Sequence, residues 1–531
     1  MHGRSGSSWL VLTLFAAALA TAATAAPAQS PRTLIVAAPQ TPTGFDGDLP
    51  KVATRQMVTQ VYEGLVRYKR VTGTDGRVTL DATQVEGHYA ESWTVSPDGR
   101  EYTFKLRRNV KSPFGNELTA DDVAWSLDRA WAVKRTSFFL YNLIGLTKWE
   151  KIAKYEIKMI LKAPNLIFLP MLTMYFPPLY DSVQAKKHVT TDDPFAGKYI
   201  DQNTVGFGAY HLQSIKPGEQ VVLTANPNYF RGKPWFERVI YREVPSTANR
   251  VSLLKTGQVQ WVEDLPLKQI ADLKKDSTLK VESVTGTQPA TIRMNPNIKP
   301  FDDLRVRQAL VFATDYAAMN RSVFEGLGVR VRSTVSPGVP VAINAFTGER
   351  DLPRARALLT EAGYPNGIDV NLNYAGTYWW MEPVAIQFKN QAAEAGIRVN
   401  LQRLPDPEFV QRGLVVRRDM ALATQGDASF VLDPVFMVWI FGHSMGVANR
   451  NHYKSDAFDK LTMQALAETD IRKRSDMVAD LQRMHANDAS WIMLYYPGVH
   501  QAMNRCISGW VWHPDDWPRF FDLKQDAKCA K

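Results

Sequence analysis

Between Ile368 and Leu401 the spacing of apolar residues changes twice, and this most narrows the folds open to the chain. Ile368, Val370, Leu372 and Tyr374 alternate, as in a strand with one face buried. Val384, Phe388, Ala392 and Ala395 then recur three or four apart, the spacing of a helix stripe, and Gly396 ends them. Ile397, Val399 and Leu401 alternate again. Two strands joined through a helix of this length form a β-α-β unit, which implies a parallel or mixed sheet covered by helices, an α/β fold.

The surrounding sequence extends the pattern. A strand is expected at residues 33–38 and a helix at residues 52–67. Trp93 and Val95 lead into the turn Ser96-Pro97-Asp98-Gly99, beyond which Tyr102, Phe104 and Leu106 alternate, a hairpin with Pro and Gly where a tight turn favours them. A second hairpin spans residues 210–225 and turns at Pro217-Gly218. Ser246 or Thr247 caps a helix that Gly257 stops. Asp302 is placed to cap a helix whose buried stripe is Val306, Leu310, Ala313 and Ala317. Another helix runs from Asp351 and Pro353 to Gly363, and two more are expected at residues 456–466 and 471–484.

The N-terminal residues read as an export signal: His2 and Arg4, an apolar run over residues 9–20, then small residues 21–26, giving a signal peptide of residues 1–26. The run is too short for a stable membrane anchor, and no cysteine lies near it to carry a lipid. Removing the signal leaves about 500 of the 531 residues, enough for two or more large cores, with 45% hydrophobic content. The net charge of +10 is spread without a dense Lys/Arg block, so nucleic-acid binding is not expected. The nine histidines are scattered without metal-ligand spacing, and neither a metal nor another cofactor is expected.

The order of several short motifs resembles the family 5 extracellular solute-binding proteins, the peptide and nickel receptors of bacterial ABC importers. These motifs are Tyr62-Glu63-Gly64-Leu65, Glu91-Ser92-Trp93 through Leu118-Thr119-Ala120-Asp121-Asp122-Val123, Gly206-Phe207-Gly208-Ala209-Tyr210, Asn226-Pro227-Asn228-Tyr229-Phe230 and Phe301 to Leu310. Val205 and Phe207 stand where relatives often carry Thr or Ser. The resemblance implies a two-lobed periplasmic binding protein fold with an extra subdomain in the first lobe. It implies a soluble, monomeric periplasmic receptor that closes on a peptide or small solute and docks on ABC permease membrane subunits. Carried onto this sequence, the first lobe comprises residues 27–284 and 495–531, with an inserted subdomain at residues 57–190. The second lobe comprises residues 285–494, and the crossing strands fall near residues 290–295 and 491–496.

Within that frame the cleft candidates are aromatic and polar. Tyr378, Trp379 and Trp380 follow the strand ending near Tyr374, and open α/β sheets bind ligands beyond the C-terminal ends of their strands. These rings either stack on a ligand or pack between the lobes. Tyr495 and Tyr496 at the second crossing pose the same alternatives, and Asn295 either bonds a ligand or ties down a turn. Many peptide-binding relatives hold the ligand's free amino group with an acidic residue four positions before a Pro. Here that position, counted back from Pro434, is Phe430, which leaves Asp427 or Asp433 as substitutes. The implied ligand is therefore held mainly by aromatic contacts and neutral hydrogen bonds, such as a modified peptide, an opine or a glycoside.

Two other readings compete. Gly442-His443-Ser444-Met445-Gly446 fits a serine-hydrolase nucleophile elbow, with residues 435–441 as its strand and Asp456, Asp459 and His485 downstream. Against it, the residues after Ser444 look turn-like, whereas an elbow leads straight into a helix, so an enzyme is not expected. A periplasmic sensor or peptide-holding protein that feeds no transporter is the other alternative. The chain's two cysteines, Cys506 and Cys529, are expected to pair in an oxidising compartment. Closing that loop adds about 3 kcal/mol on the chain-entropy picture. Thiol labelling of the unfolded, unreduced protein is expected to modify neither cysteine, and two labelled thiols would exclude the bridge.

Overall fold

The computed structural model describes residues 31–49, 54–74, 76–414 and 419–526. The expected signal, residues 1–26, and Cys529 lie outside them; Cys506, which is described, is not a free thiol.

Two large mixed sheets organise the chain. The first has seven strands in the order Leu279–Val284, Val499–Asn504, Trp261–Val262, Thr33–Ala38, Arg238–Glu243, Gln220–Ala225 and Tyr210–Lys216. The second has six, in the order Val329–Arg330, Trp491–Tyr496, Ala290–Met294, Leu422–Gln425, Ile368–Tyr374 and Ile397–Arg403. The expected β-α-β unit is present: Ile368–Tyr374 pairs in parallel with Ile397–Arg403, and the helix Met381–Ala393 joins them. Both hairpins form, and Gly99 and Gly218 take the positive φ that their turns require. A four-stranded sheet, Ala90–Val95, Glu101–Leu106, Glu156–Leu161 and Leu146–Ala153, lies within the chain segment expected to be an inserted subdomain.

The chain passes from the first sheet to the second through residues 285–289 and returns through Pro497 and Gly498. The flanking strands are neighbours in both sheets: Val284 pairs with Val499 in the first, and Ala290 with Tyr495 in the second. Gly286 and Gly498, one in each passage, have φ of +71° and +82°. Tyr495 and Tyr496, placed by the sequence at the return to the first lobe, still belong to the second sheet, where they pair with Arg330 and Val329.

Three local expectations are corrected. Residues 52–67 are not one helix: among the described residues the helix is Thr54–Val58, and a strand begins at Val66. Gly64 lies in the connection between them, where a Cβ would sit 2.1 Å from the Leu172 carbonyl oxygen, so only glycine fits. Asp303 rather than Asp302 caps the helix Leu304–Ala313, its carboxylate accepting the Arg305 N–H at 2.8 Å. That helix stops before Ala317, because Asp315 caps a new helix, Tyr316–Val323, and Ala317 is exposed.

Residues 435–441 form a helix, Pro434–Gly442, not a strand. Every residue from Val435 to Gly442 is buried, so the run carries no periodicity that could separate the two structures. The start signal decides it. Asp433 accepts the N–H groups of Val435 and Phe436 at 2.9 and 3.0 Å, and Pro434 fills the first helical position. The same carboxylate receives Arg474 at 2.9 Å on both oxygens, and both side chains are at most 10% exposed. Asp433→Ala removes the cap and strands a buried guanidinium, so urea denaturation is expected to show a loss of about 3–5 kcal/mol.

Candidate functional site

Strand direction gathers the candidates at one edge of the second sheet. Ile368–Tyr374 and Leu422–Gln425 run parallel, while Ala290–Met294 runs against them and pairs Thr291 with Gln425. The C-terminal ends of the first two therefore share an edge with Ala290 and Tyr495, the edge through which the chain passes to the first sheet. Tyr378, Trp379, Trp380, Gly426 and Asp427 all follow strand ends there. Asn295 does not. It ends its strand at the opposite edge, where its side-chain oxygen accepts the Asn297 N–H at 3.0 Å, the turn-tying alternative.

Tyr378 and Trp380 stack with ring centroids 5.8 Å apart and planes 3° apart. Trp380 is buried and lies so close to Gly426 that a Cβ there would meet its ring at 2.7 Å. Trp379 meets Phe324 edge-on at 6.1 Å. Tyr378 and Trp379 remain half-buried at the edge, while Trp380 works as packing beneath them. Tyr495 donates its hydroxyl to the Tyr316 carbonyl at 2.9 Å, and Tyr496 is buried, with its hydroxyl pKa pushed up by that burial. Both rings belong to the core.

Asp427 is already held by two guanidinium groups. Arg450 grips it through Nε at 2.8 and 2.9 Å and Nη2 at 2.5 Å, and Arg293 Nη1 lies 3.2 Å away. Arg293 is buried with its guanidinium 3.7 Å above the Trp491 ring, donates to the Ala448 carbonyl at 2.8 Å, and leaves Nη2 without a partner. Burial pulls its pKa down to about 10, against the opposing pull of Asp427. Two fixed cations on one carboxylate leave an excess of one positive charge. Sequence reasoning missed both arginines, although a charged residue inside the apolar strand Ala290–Met294 was a visible signal. Phe430 is half-buried against the core and offers no acceptor, and Asp433 is committed to its helix cap and Arg474.

The hydrolase constellation is not assembled. Ser444 follows the C-terminal end of a helix rather than a strand, and its N–H and hydroxyl both bond Asp459. His485 is buried among Phe346, Tyr453, Phe458 and Trp491, and neither ring nitrogen has a hydrogen-bond partner. Asn449 instead ties the loop, donating to the carbonyls of His443 and Tyr453 at 3.0 and 2.7 Å.

The matches to known proteins agree with this geometry. Residues 84–449 match the model of the bacterial extracellular solute-binding proteins, family 5, over more than half of the chain. The chain belongs to that family. A probable D,D-dipeptide-binding periplasmic protein of Escherichia coli K12 is 28% identical over 85% of this chain and 86% of its own. A dipeptide-binding protein of Pseudoalteromonas sp. SM9913, solved with Met-Leu, shares the fold with a TM-score of 0.83 at 21% identity, covering 93% of this chain and all (100%) of its own. A binding protein from A. tumefaciens R10, solved with mannopinic acid, superposes with a TM-score of 0.82 at 24% identity, covering 94% and 100%.

This family 5 chain therefore has the two-lobed α/β fold, and its matches are binding proteins, so the hydrolase alternative is not favoured. Among the described residues, no helix is long and apolar enough to cross a membrane.

Burial holds the His485 pKa down to about 3, with Arg293 adding to the effect, so the ring is neutral in the folded protein. Its unfolded value is near 6.5, and the unfolded chain takes up the proton first. The contribution of His485 to stability is expected to be full above about pH 6.5 and to be lost as pH drops from there towards 3. Urea midpoints measured across that window are expected to be flatter for His485→Phe than for the wild type.

Proposed function

We propose that this protein is the substrate-binding component of an ABC importer. It captures a peptide or peptide-like small solute between two hinged lobes in the periplasm and delivers it to the permease subunits. The observation that carries this reading is the pair of adjacent passages at residues 285–289 and 497–498, which set one edge of each sheet towards the other. The first lobe then holds the seven-stranded sheet, the second the six-stranded sheet, and the ligand lies between the edges. Two short neighbouring connections, each with a glycine at positive φ, suit a hinge.

On the second lobe the half-buried rings of Tyr378 and Trp379 supply apolar and stacking surface. The Arg293–Asp427–Arg450 cluster, with its surplus cation, favours an anionic group on the ligand. Dipeptides and mannopinic acid, bound by fold neighbours, both carry a carboxylate. Asp427 is neutralised by its arginines and does not replace the amine anchor that Phe430 lacks. Small-angle scattering is expected to give a smaller radius of gyration when a mixed peptide pool saturates the protein. An unchanged radius despite calorimetrically demonstrated binding would reject lobe closure.

A further inference from the structure

The first sheet's facing edge carries the opposite charge. Thr33–Ala38 runs parallel to Arg238–Glu243 and Trp261–Val262, and all three point their C-terminal ends at the edge where Val284 and Val499 lead out of the sheet. Glu263 and Asp264 are the first residues beyond the short strand. Glu263 is only 8% exposed. One carboxylate oxygen accepts the Tyr241 hydroxyl at 2.5 Å, and the other, Oε1, is buried with no hydrogen-bond partner. Among the described residues no hydrogen bond reaches the Asp264 carboxylate. Arg250, the nearby cation, turns its Nη1 and Nη2 donors to the carbonyls of Val244, Pro245 and Asp264 and to the Thr247 hydroxyl, and its buried Nε makes no hydrogen bond to either carboxylate.

We infer that Glu263, supported by Asp264, is the anchor for a cationic group of the ligand, a role moved from the second lobe to the first. The inference rests on the proposed capture between lobes and adds the ligand's class: a dipolar solute with an ammonium group at Glu263 and a carboxylate at the arginine cluster. Three observations on separate elements converge. An acceptor in a side chain more than nine-tenths buried lacks a donor at this edge. The opposite edge carries surplus positive charge. The position expected to hold an amine there is a phenyl ring, Phe430. A cation arriving at Oε1 supplies the absent donor, and the hydrogen bond it makes is charge-assisted.

Proton traffic provides a signature. Burial pushes Glu263 up to about 7 and Asp264 up to about 6; the Asp264 charge adds to the rise at Glu263, while the Tyr241 hydroxyl at Glu263 and the Arg250 guanidinium at both oppose it. A bound ammonium favours the ionised forms, so binding near pH 7 releases protons, and affinity falls as pH drops from 7 towards 6.

The test is calorimetric titration with a mixed tripeptide pool bearing free amino termini and with the same pool N-acetylated, in buffers of different ionisation heat. Wild type is expected to bind the free pool about tenfold to a hundredfold more tightly than the acetylated one, the worth of a charge-assisted bond, and to release protons. Glu263→Gln, which keeps a partner for Tyr241, is expected to abolish the preference and reduce the proton release, with the loss of affinity falling on the free pool and none on the acetylated one. Equal affinity of the wild type for the two pools would overturn the inference but leave the importer reading intact, and needs no variant. So would equal losses for both pools in Glu263→Gln, which mark a structural role. A wild type that binds neither pool rejects the peptide reading and this inference together.

Discussion

The pairing of the two passages governs the molecule. Leu279–Val284 and Val499–Asn504 lie side by side in the first sheet, and Ala290–Met294 and Trp491–Tyr496 in the second, so both connections leave and enter at one place. Backbone hydrogen bonding on either side leaves only residues 285–289 and 497–498 outside the ladders. Those few residues are where relative motion of the sheets costs least, since bending elsewhere breaks paired strands. A side chain at either glycine is disfavoured twice, by the positive φ and by crowding: a Cβ at Gly286 would lie 2.8 Å from Val499, and one at Gly498 2.7 Å from His500.

The same topology sorts residues into scaffold and surface. Arg293 faces the layer of helices that also buries His485 and Trp491, so its guanidinium is fixed by stacking and by the Ala448 carbonyl before any ligand arrives. Arg450 reaches Asp427 from the loop that Asn449 ties, and under the proposed function that loop serves binding in place of catalysis. A charge held this way loses little freedom on meeting a ligand, and preorganisation of that kind favours affinity.

Regular elements were legible in the sequence where periodicity and caps coincide. The β-α-β unit over residues 368–403, both hairpins and the helix begun by Asp351 follow from alternation, Gly and N-cap chemistry alone. Residues 435–441 were misread because burial on every side erases the period, although Asp433-Pro434 carried the start signal. The site was less legible because it depends on long-range neighbours. Asp427 was visible as an acidic candidate, but its neutralisation needs arginines 134 positions earlier and 23 later in the chain. Glu263 gave no sign either, since the sequence does not show which strand ends face the hinge.

Opposed charges on facing edges also bear on how ligand and closure are coupled. Under the proposed lobe closure each edge contributes one buried polar atom without a protein partner, Arg293 Nη2 and Glu263 Oε1. An unmatched buried polar group costs about 1–3 kcal/mol, and more when charged, so the ligand-free protein carries a penalty at both poles. Under the proposed anchoring, a ligand carrying both an ammonium and a carboxylate removes both penalties at once, whereas one carrying a single charge removes only one. Discrimination then comes from the protein's own unsatisfied groups rather than from added contacts, and a ligand shifts the open–closed balance only by its differential interaction with the two states. The aromatic shelf of Tyr378 and Trp379 is indifferent to charge, so its contribution sets how large a body the two poles can share, not which termini it must bear.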